Sequence, residues 1–237
     1  MNESPCHLLP NPGGALPFGN TTEAVRAWTH GWAASRGAAE PAPRPWGFTI
    51  DVGLSGHVER HVLPTADEAT VRKITENATA PGVWLKTLVS PETLATWLAP
   101  GWSLAGGPGF LMSAALRAAH AEAPAATPDG YRLRTWTRAG VTRVLVRGTD
   151  GAFAARGQIA VTGPTAVVDQ VETDPAHRRR GLGRLVMRAL ADAAAGQGAT
   201  AGVLGATPEG RALYEAMGWR VLAPLTGAMR GPDLADA

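Results

Sequence analysis

Runs of apolar and β-branched residues, broken by glycine and proline, divide this chain into short elements. Residues 46–52 and 58–63 predict strands, 66–77 a helix, and 83–89 a further strand. In the second half, 131–136, 142–146, 153–162 and 165–171 predict successive strands, separated by turns such as Gly148-Thr149-Asp150-Gly151. Leu182, Leu185, Val186, Ala189 and Leu190 then recur at three- and four-residue steps, which gives a helix with one apolar face. Residues 201–206 predict a strand, Thr207-Pro208-Glu209 opens another helix, and one last strand follows. At the front, residues 22–36 predict a helix between two segments that read as tail and loop: 1–19, with four prolines, and 37–45, rich in alanine and proline.

Candidate chemistry concentrates where the strand ending in Val171-Glu172-Thr173 passes through Asp174-Pro175 into Ala176-His177-Arg178-Arg179-Arg180-Gly181-Leu182-Gly183-Arg184. Gly181 and Gly183 lack a Cβ, so the backbone there can take positive φ and bring N–H groups against an anion. The helix that follows aims the positive end of its dipole at the same spot. Arg178, Arg179, Arg180 and Arg184 add cations suited to phosphate. The segment reads as a diphosphate cradle; the competing reading is an arginine-rich surface turn.

The spacing Arg178-x-x-Gly181-x-Gly183 after a strand resembles the Q/R-x-x-G-x-G/A signature of the GNAT superfamily of acetyl-CoA-dependent N-acyltransferases. Leu213-Tyr214 through Gly218-Trp219 resembles that family's L-Y-x-x-x-G-F/W segment, and the element order over 158–230 is similar to the C-terminal half of a GNAT domain. The resemblance implies an α/β fold with a mixed, largely antiparallel sheet flanked by helices. It implies acetyl-CoA as acyl donor, lying between the strand that ends at Thr173 and strand 201–206. Main-chain groups of Val171, Glu172 and Thr173 would hold its pantetheine arm, and Arg178, Arg179, Arg180, Gly181, Leu182, Gly183 and Arg184 its diphosphate. Tyr214 would stand beside the departing sulfur; its alternative is a packed aromatic on an amphipathic helix. Glu172 and Asp169 are the candidate general bases, but strict alternation puts them on opposite faces unless a bulge intervenes. Two departures from the family pattern stand out. Thr207 occupies a position where the family often carries asparagine, and the usual helices between the first two strands are missing from the second half.

Ser90 through Trp102 can be laid on Thr207 through Trp219 at a constant spacing of 117, with Pro, Glu, two Ala, Gly and Trp coinciding. Shifting the phosphate turn by the same amount lands on His61 through Ala66, which has neither glycine nor an arginine triplet, and Trp97 stands in place of the tyrosine. The expected organisation is therefore tandem. It comprises a flexible tail (1–20), a degenerate GNAT-like unit without the cofactor motif (21–120), a linker (121–130) and a catalytic GNAT unit (131–237). In that arrangement the first unit would wall the acceptor site.

Composition narrows the rest. Hydrophobic content of 45% supports packed cores, and the net charge is only +2, although five arginines fall between 178 and 188. That local charge suits a phosphate-bearing cofactor better than nucleic acid, whose binders spread basic residues and interleave aromatics. The early residues show no secretory pattern and no run is long enough to span a membrane, so a cytoplasmic location is expected. Cys6 is the sole cysteine and reads as incidental. His57, Glu59 and His61 have metal-like spacing but read as a polar sheet face, so no metal is expected. The expected activity is transfer of an acetyl group from acetyl-CoA to a primary amine of a small molecule, by direct attack in a ternary complex. A protein N-terminus or lysine is the alternative acceptor. From a different class, the alternative is a non-catalytic acyl-CoA-binding regulatory module. The chain is expected to be a monomer, as an internal pseudo-dimer, or a homodimer.

Overall fold

The computed structural model describes residues 17–116 and 127–232. Cys6 and most of the expected tail lie outside the described residues, as do positions 121–126 of the expected linker. Asn20 opens helix α1 (Thr21–Arg36) by accepting from the Glu23 amide, and Gly37, at φ +64°, ends it. The first half continues through strands β1 (Ala42–Arg44), β2 (Gly47–Leu54) and β3 (His57–Leu63), helix α2 (Glu68–Asn77), strand β4 (Val83–Thr87), helix α3 (Pro91–Trp97), and strands β5 (Trp102–Leu104) and β6 (Phe110–Ala115). The second half has strands β7 (Tyr131–Arg138), β8 (Val141–Gly148), β9 (Phe153–Thr162) and β10 (Thr165–Thr173). After these come helix α4 (Leu182–Gly196), strand β11 (Ala201–Ala206), helix α5 (Pro208–Glu215), and strands β12 (Arg220–Pro224) and β13 (Thr226–Arg230).

These elements form two mixed, mostly antiparallel sheets, in the orders β1-β2-β3-β4-β13-β5 and β12-β6-β11-β10-β9-β8-β7. Each sheet contains one parallel neighbour pair joined through a helix, β3 with β4 through α2 and β10 with β11 through α4. Each pair leads into a short proline-started helix capped by a hydroxyl. Ser90 accepts from the Thr93 amide at the start of α3, and Thr207 from the Gly210 amide at the start of α5, both at 3.2 Å. The repeat seen as Ser90–Trp102 and Thr207–Trp219 thus extends to β3-α2-β4-α3-β5 and β10-α4-β11-α5-β12.

The boundary expected near 120–130 does not separate the two sheets. β6, from the first segment, inserts between β11 and β12, and β13, from the last, inserts between β4 and β5. The exchange is reciprocal. In each unit the slot between the second parallel strand and the strand after the short helix is filled by the other unit. Pairing partners far apart in sequence leave no local signature, so a boundary read from composition misses them.

Helix α1 lies between the sheets. Its Val25, Trp28 and Trp32 pack with Phe48, Ile50 and Val62 of the first sheet and with Leu111, Val167 and Val203 of the second. It therefore covers the face of the second sheet opposite α4, whose Val186 and Leu190 pack with Ile159, Val168 and Leu204. Close approach depends on Gly31, where an added Cβ would lie 2.2 Å from Val167 Cγ2 and 2.7 Å from its Cβ. Gly31→Ala is therefore expected to lower unfolding stability by about 2 kcal/mol, read as a lower urea midpoint, because α1 must back away from the sheet.

Candidate active site

The turn between β10 and α4 is built by two residues in the left-handed region. Arg179 has φ +63° and Gly181, the residue before α4, has φ +78°. Gly181 offers no side-chain cap, so the first amides of α4 are left without an intrahelical or capping acceptor. Gly183 is not at positive φ as expected but helical, and an added Cβ would come 2.9 Å from Leu213 Cδ2. Its small size lets α4 approach α5. The turn is fixed to its surroundings by Arg178, whose Nε donates to the Thr173 carbonyl at 3.4 Å. Arg180 also anchors it, donating to the Tyr131 hydroxyl at 3.1 Å, while that hydroxyl meets His177 Nδ1 at 3.0 Å. Arg178, Arg179 and Arg184 line the adjoining cleft of about 830 Å³, whereas Arg180 is turned to Tyr131.

The first unit has no such cradle. Asp67 caps α2 by accepting from the Thr70 amide at 2.9 Å, and that bond holds its carboxyl below the usual range. An anionic cap already occupies the place where a phosphate would sit in the second unit.

The same cleft follows the edge of β10. Parallel pairing of β10 with β11 runs from Thr165↔Ala201 to Val168↔Leu204 and stops there, although β10 continues to Thr173. Val171, Glu172 and Thr173 therefore lie beyond the stretch paired with β11 and line the cleft with Leu204 and Gly205. A bulge falls in the same stretch, because Asp169 opposes Gln158 and Glu172 opposes Arg156, with Gln170 at φ +54°. The extra residue puts Asp169 and Glu172 on one face, against the strict alternation expected from sequence. Neither carboxylate is bare. Both oxygens of Asp169 are held by Arg36, with Nη2 to Oδ1 at 3.0 Å and Nε to Oδ2, and Ser35 Oγ adds a bond at 3.2 Å. Glu172 accepts from Arg156 Nε at 2.9 Å in a half-exposed ion pair.

Tyr214 is 7% exposed on α5 and lines the cleft. Its hydroxyl has no hydrogen-bond partner among the described residues, and burial, then Asp169, push its pKa up to about 12. Thr207, at the head of the same helix, also lines the cleft while capping α5.

Beyond Asp169 a second cluster of polar residues lies between α1 and the first sheet. Arg60 stacks on the Trp32 ring at 3.7 Å and donates through Nε to His57 Nε2 at 3.2 Å. His57 lies between Trp32 and Trp84, and burial followed by Arg60, Arg36 and Lys86 pushes its pKa down to about 4. His61 is pushed to about 4 by burial and then Arg44; Glu59 at 3.8 Å does not offset this, its own carboxyl being raised by burial. The two histidines are thus separately packed. No group of three or more His, Cys, Asp or Glu able to hold a metal occurs among the described residues. Both histidines are neutral when folded, and the unfolded chain takes up protons first as the pH falls below 6.5. Stability is therefore expected to decline from about pH 6.5 towards 4, seen as a falling denaturant midpoint, with a shallower decline in His61→Gln.

An uncapped helix start, a strand edge that β11 leaves unpaired and a buried tyrosine thus line one cleft. The sequence model of the Acetyltransferase (GNAT) family matches residues 112–219, and over that segment the chain is similar to the GNAT family. The match begins inside β6, the strand taken from the first half, and ends at Trp219. Solved structures with the same fold include a GCN5-related N-acetyltransferase from Kribbella flavida (TM-score 0.59, 18% identity, 91% of this chain and 98% of that one). A GNAT-family protein from Novosphingobium aromaticivorans gives TM-score 0.53, 19% identity and coverage of 89% and 97%. A tandem GNAT protein from the clavulanic acid biosynthesis pathway gives 0.50, 15%, 70% and 69%. No curated protein matches the sequence. No helix among the described residues is long and apolar enough to cross a membrane.

Proposed function

We propose that the second unit acetylates the primary amine of a small molecule, with acetyl-CoA bound along the β10–β11 splay. The observation that carries this reading is the uncapped start of α4 at the end of a strand edge left without a partner. Amides at Leu182, Gly183 and Arg184, with the side chains of Arg178, Arg179 and Arg184, are the groups proposed to hold the diphosphate. Main-chain groups of Val171, Glu172 and Thr173 are proposed to hold the pantetheine arm. Bound acetyl-CoA supplies the acyl group as a thioester, so the chain needs no nucleophile of its own.

Tyr214 keeps its proton at any working pH. Giving it up fully to a thiolate of pKa near 8.5 would be uphill by about 5 kcal/mol, so the phenol acts by donating a hydrogen bond to the sulfur. Glu172 keeps one oxygen outside its ion pair with Arg156, which suits it to accept the amine proton directly or through water. Asp169, engaged at both oxygens, acts as a positioning residue that ties α1 to β10. A small acceptor is favoured because α1 and the first sheet close the face of β10 and β11 opposite α4.

Amine-dependent release of the coenzyme A thiol, with the acetylated amine identified by mass, tests the reading. Acetyl-CoA binding without release for any amine in a broad panel would replace it with a non-catalytic acyl-CoA-binding module.

A further inference from the structure

Four cationic or titratable groups converge where α1 meets the inner face of the first sheet: Arg36, His57, Arg60 and Lys86. Arg60 is 7% exposed, and Lys86, on β4, is largely buried. The ammonium of Lys86 has no hydrogen-bond acceptor or carboxylate among the described residues, and neither have the terminal guanidinium nitrogens of Arg60. The carboxylate that acts on this cluster is Asp169, and its oxygens are already taken by Arg36 and Ser35. Room for the ammonium is built in, since a Cβ at Gly227 of β13 would lie 2.5 Å from Lys86 Nζ. Trp32 and Trp84 flank the group, and Trp84, His57 and Lys86 each keep partial exposure.

Holding like charges together out of water is unfavourable unless a counterion joins them. On the transferase reading above, we propose that the acceptor amine carries an anionic group, carboxylate or phosphate, which binds at Lys86 and Arg60 with the acceptor's body against Trp32 and Trp84. Burial and then Arg60 push the Lys86 pKa down to about 8, in keeping with a cation that lacks its counterion. Asp169 acts electrostatically on both Arg60 and Tyr214.

The test compares acetyl transfer by the full chain to amino acids, to the same compounds as primary amides, to aminoalkyl phosphates and to diamines. An anionic acceptor is expected to exceed its neutral counterpart by about a hundredfold in kcat/KM, and the ratio is expected to fall towards one in Lys86→Met. The phosphate and carboxylate arms tell the two anions apart. Equal rates for anionic and neutral amines, or a ratio that survives Lys86→Met, overturn the proposal while leaving the transferase reading intact. Binding of the same amino acids and phosphates, followed by tryptophan fluorescence without acetyl-CoA, separates the two ideas further. Binding lost in Lys86→Met supports the anion subsite even where no amine is acetylated, and binding unaffected by that change overturns it. Coenzyme A affinity and thermal midpoint report whether the variant is folded.

Discussion

Tyr214→Phe is expected to lower kcat by about a hundredfold while leaving the dissociation constant of acetyl-CoA unchanged. Tyr214 lines the cleft, and removing its hydroxyl leaves the ring that packs α5 in place. Tyr214 stacks near Trp219 at 6.3 Å, and Gly210 lies against the ring, so phenylalanine fits the same space. Because the phenol titrates at about 12, activity is not expected to fall through its ionisation at any pH up to 10. A rate that drops with a pKa near 10 in wild type and loses that limb in Tyr214→Phe would show that the tyrosine is less buried than its position indicates. Rates equal in the two proteins would remove it from the chemistry.

Gly181→Val is the second large effect, and it strikes binding rather than turnover. At φ +78° a β-branched side chain is strained, and the turn relaxes by moving the amides that begin α4. Loss of two charge-assisted bonds at about 1.5 kcal/mol each corresponds to about a hundredfold weaker acetyl-CoA binding. Gly181 is exposed, with nothing within 4 Å of the position its Cβ would take, so no clash adds to the backbone strain, and the thermal midpoint is expected to fall only by that strain of about 1–2 kcal/mol. Calorimetric titration of both proteins checks this. Were the turn merely an arginine-rich surface loop, affinity for the nucleotide would be absent or indifferent to the substitution.

Local chemistry was legible in the sequence and non-local pairing was not. Hydroxyl caps at Ser90 and Thr207, the glycine before α4, and the apolar repeat of Leu182, Leu185, Val186 and Leu190 are short-range signals, and the elements they mark lie where they were expected. β6 is a short apolar run, Phe110–Ala115, that carries no mark of its partner. Its place between β11 and β12, and the return of β13 to the first sheet, depend on register across more than a hundred residues for β13 and nearly as many for β6. The bulge at Gln170 was equally hidden, because no glycine announces its positive φ, and it reverses the facing of Glu172 relative to Asp169. Nothing in the sequence sets Arg60 and Lys86 apart. Only the packing of α1 against both sheets turns them into neighbours of Asp169. Tyr131, one of two tyrosines in the chain, had no motif to draw attention to it, yet it anchors the arginine turn.

The claim on which the rest depends is that the start of α4 holds the diphosphate of the acyl donor. A crystal structure of the full chain with coenzyme A tests it most directly. Diphosphate oxygens within about 3 Å of the amides of Leu182, Gly183 and Arg184, with the pantetheine arm entering between β10 and β11, are the predicted result. A nucleotide bound elsewhere, with those amides turned to solvent, would contradict it.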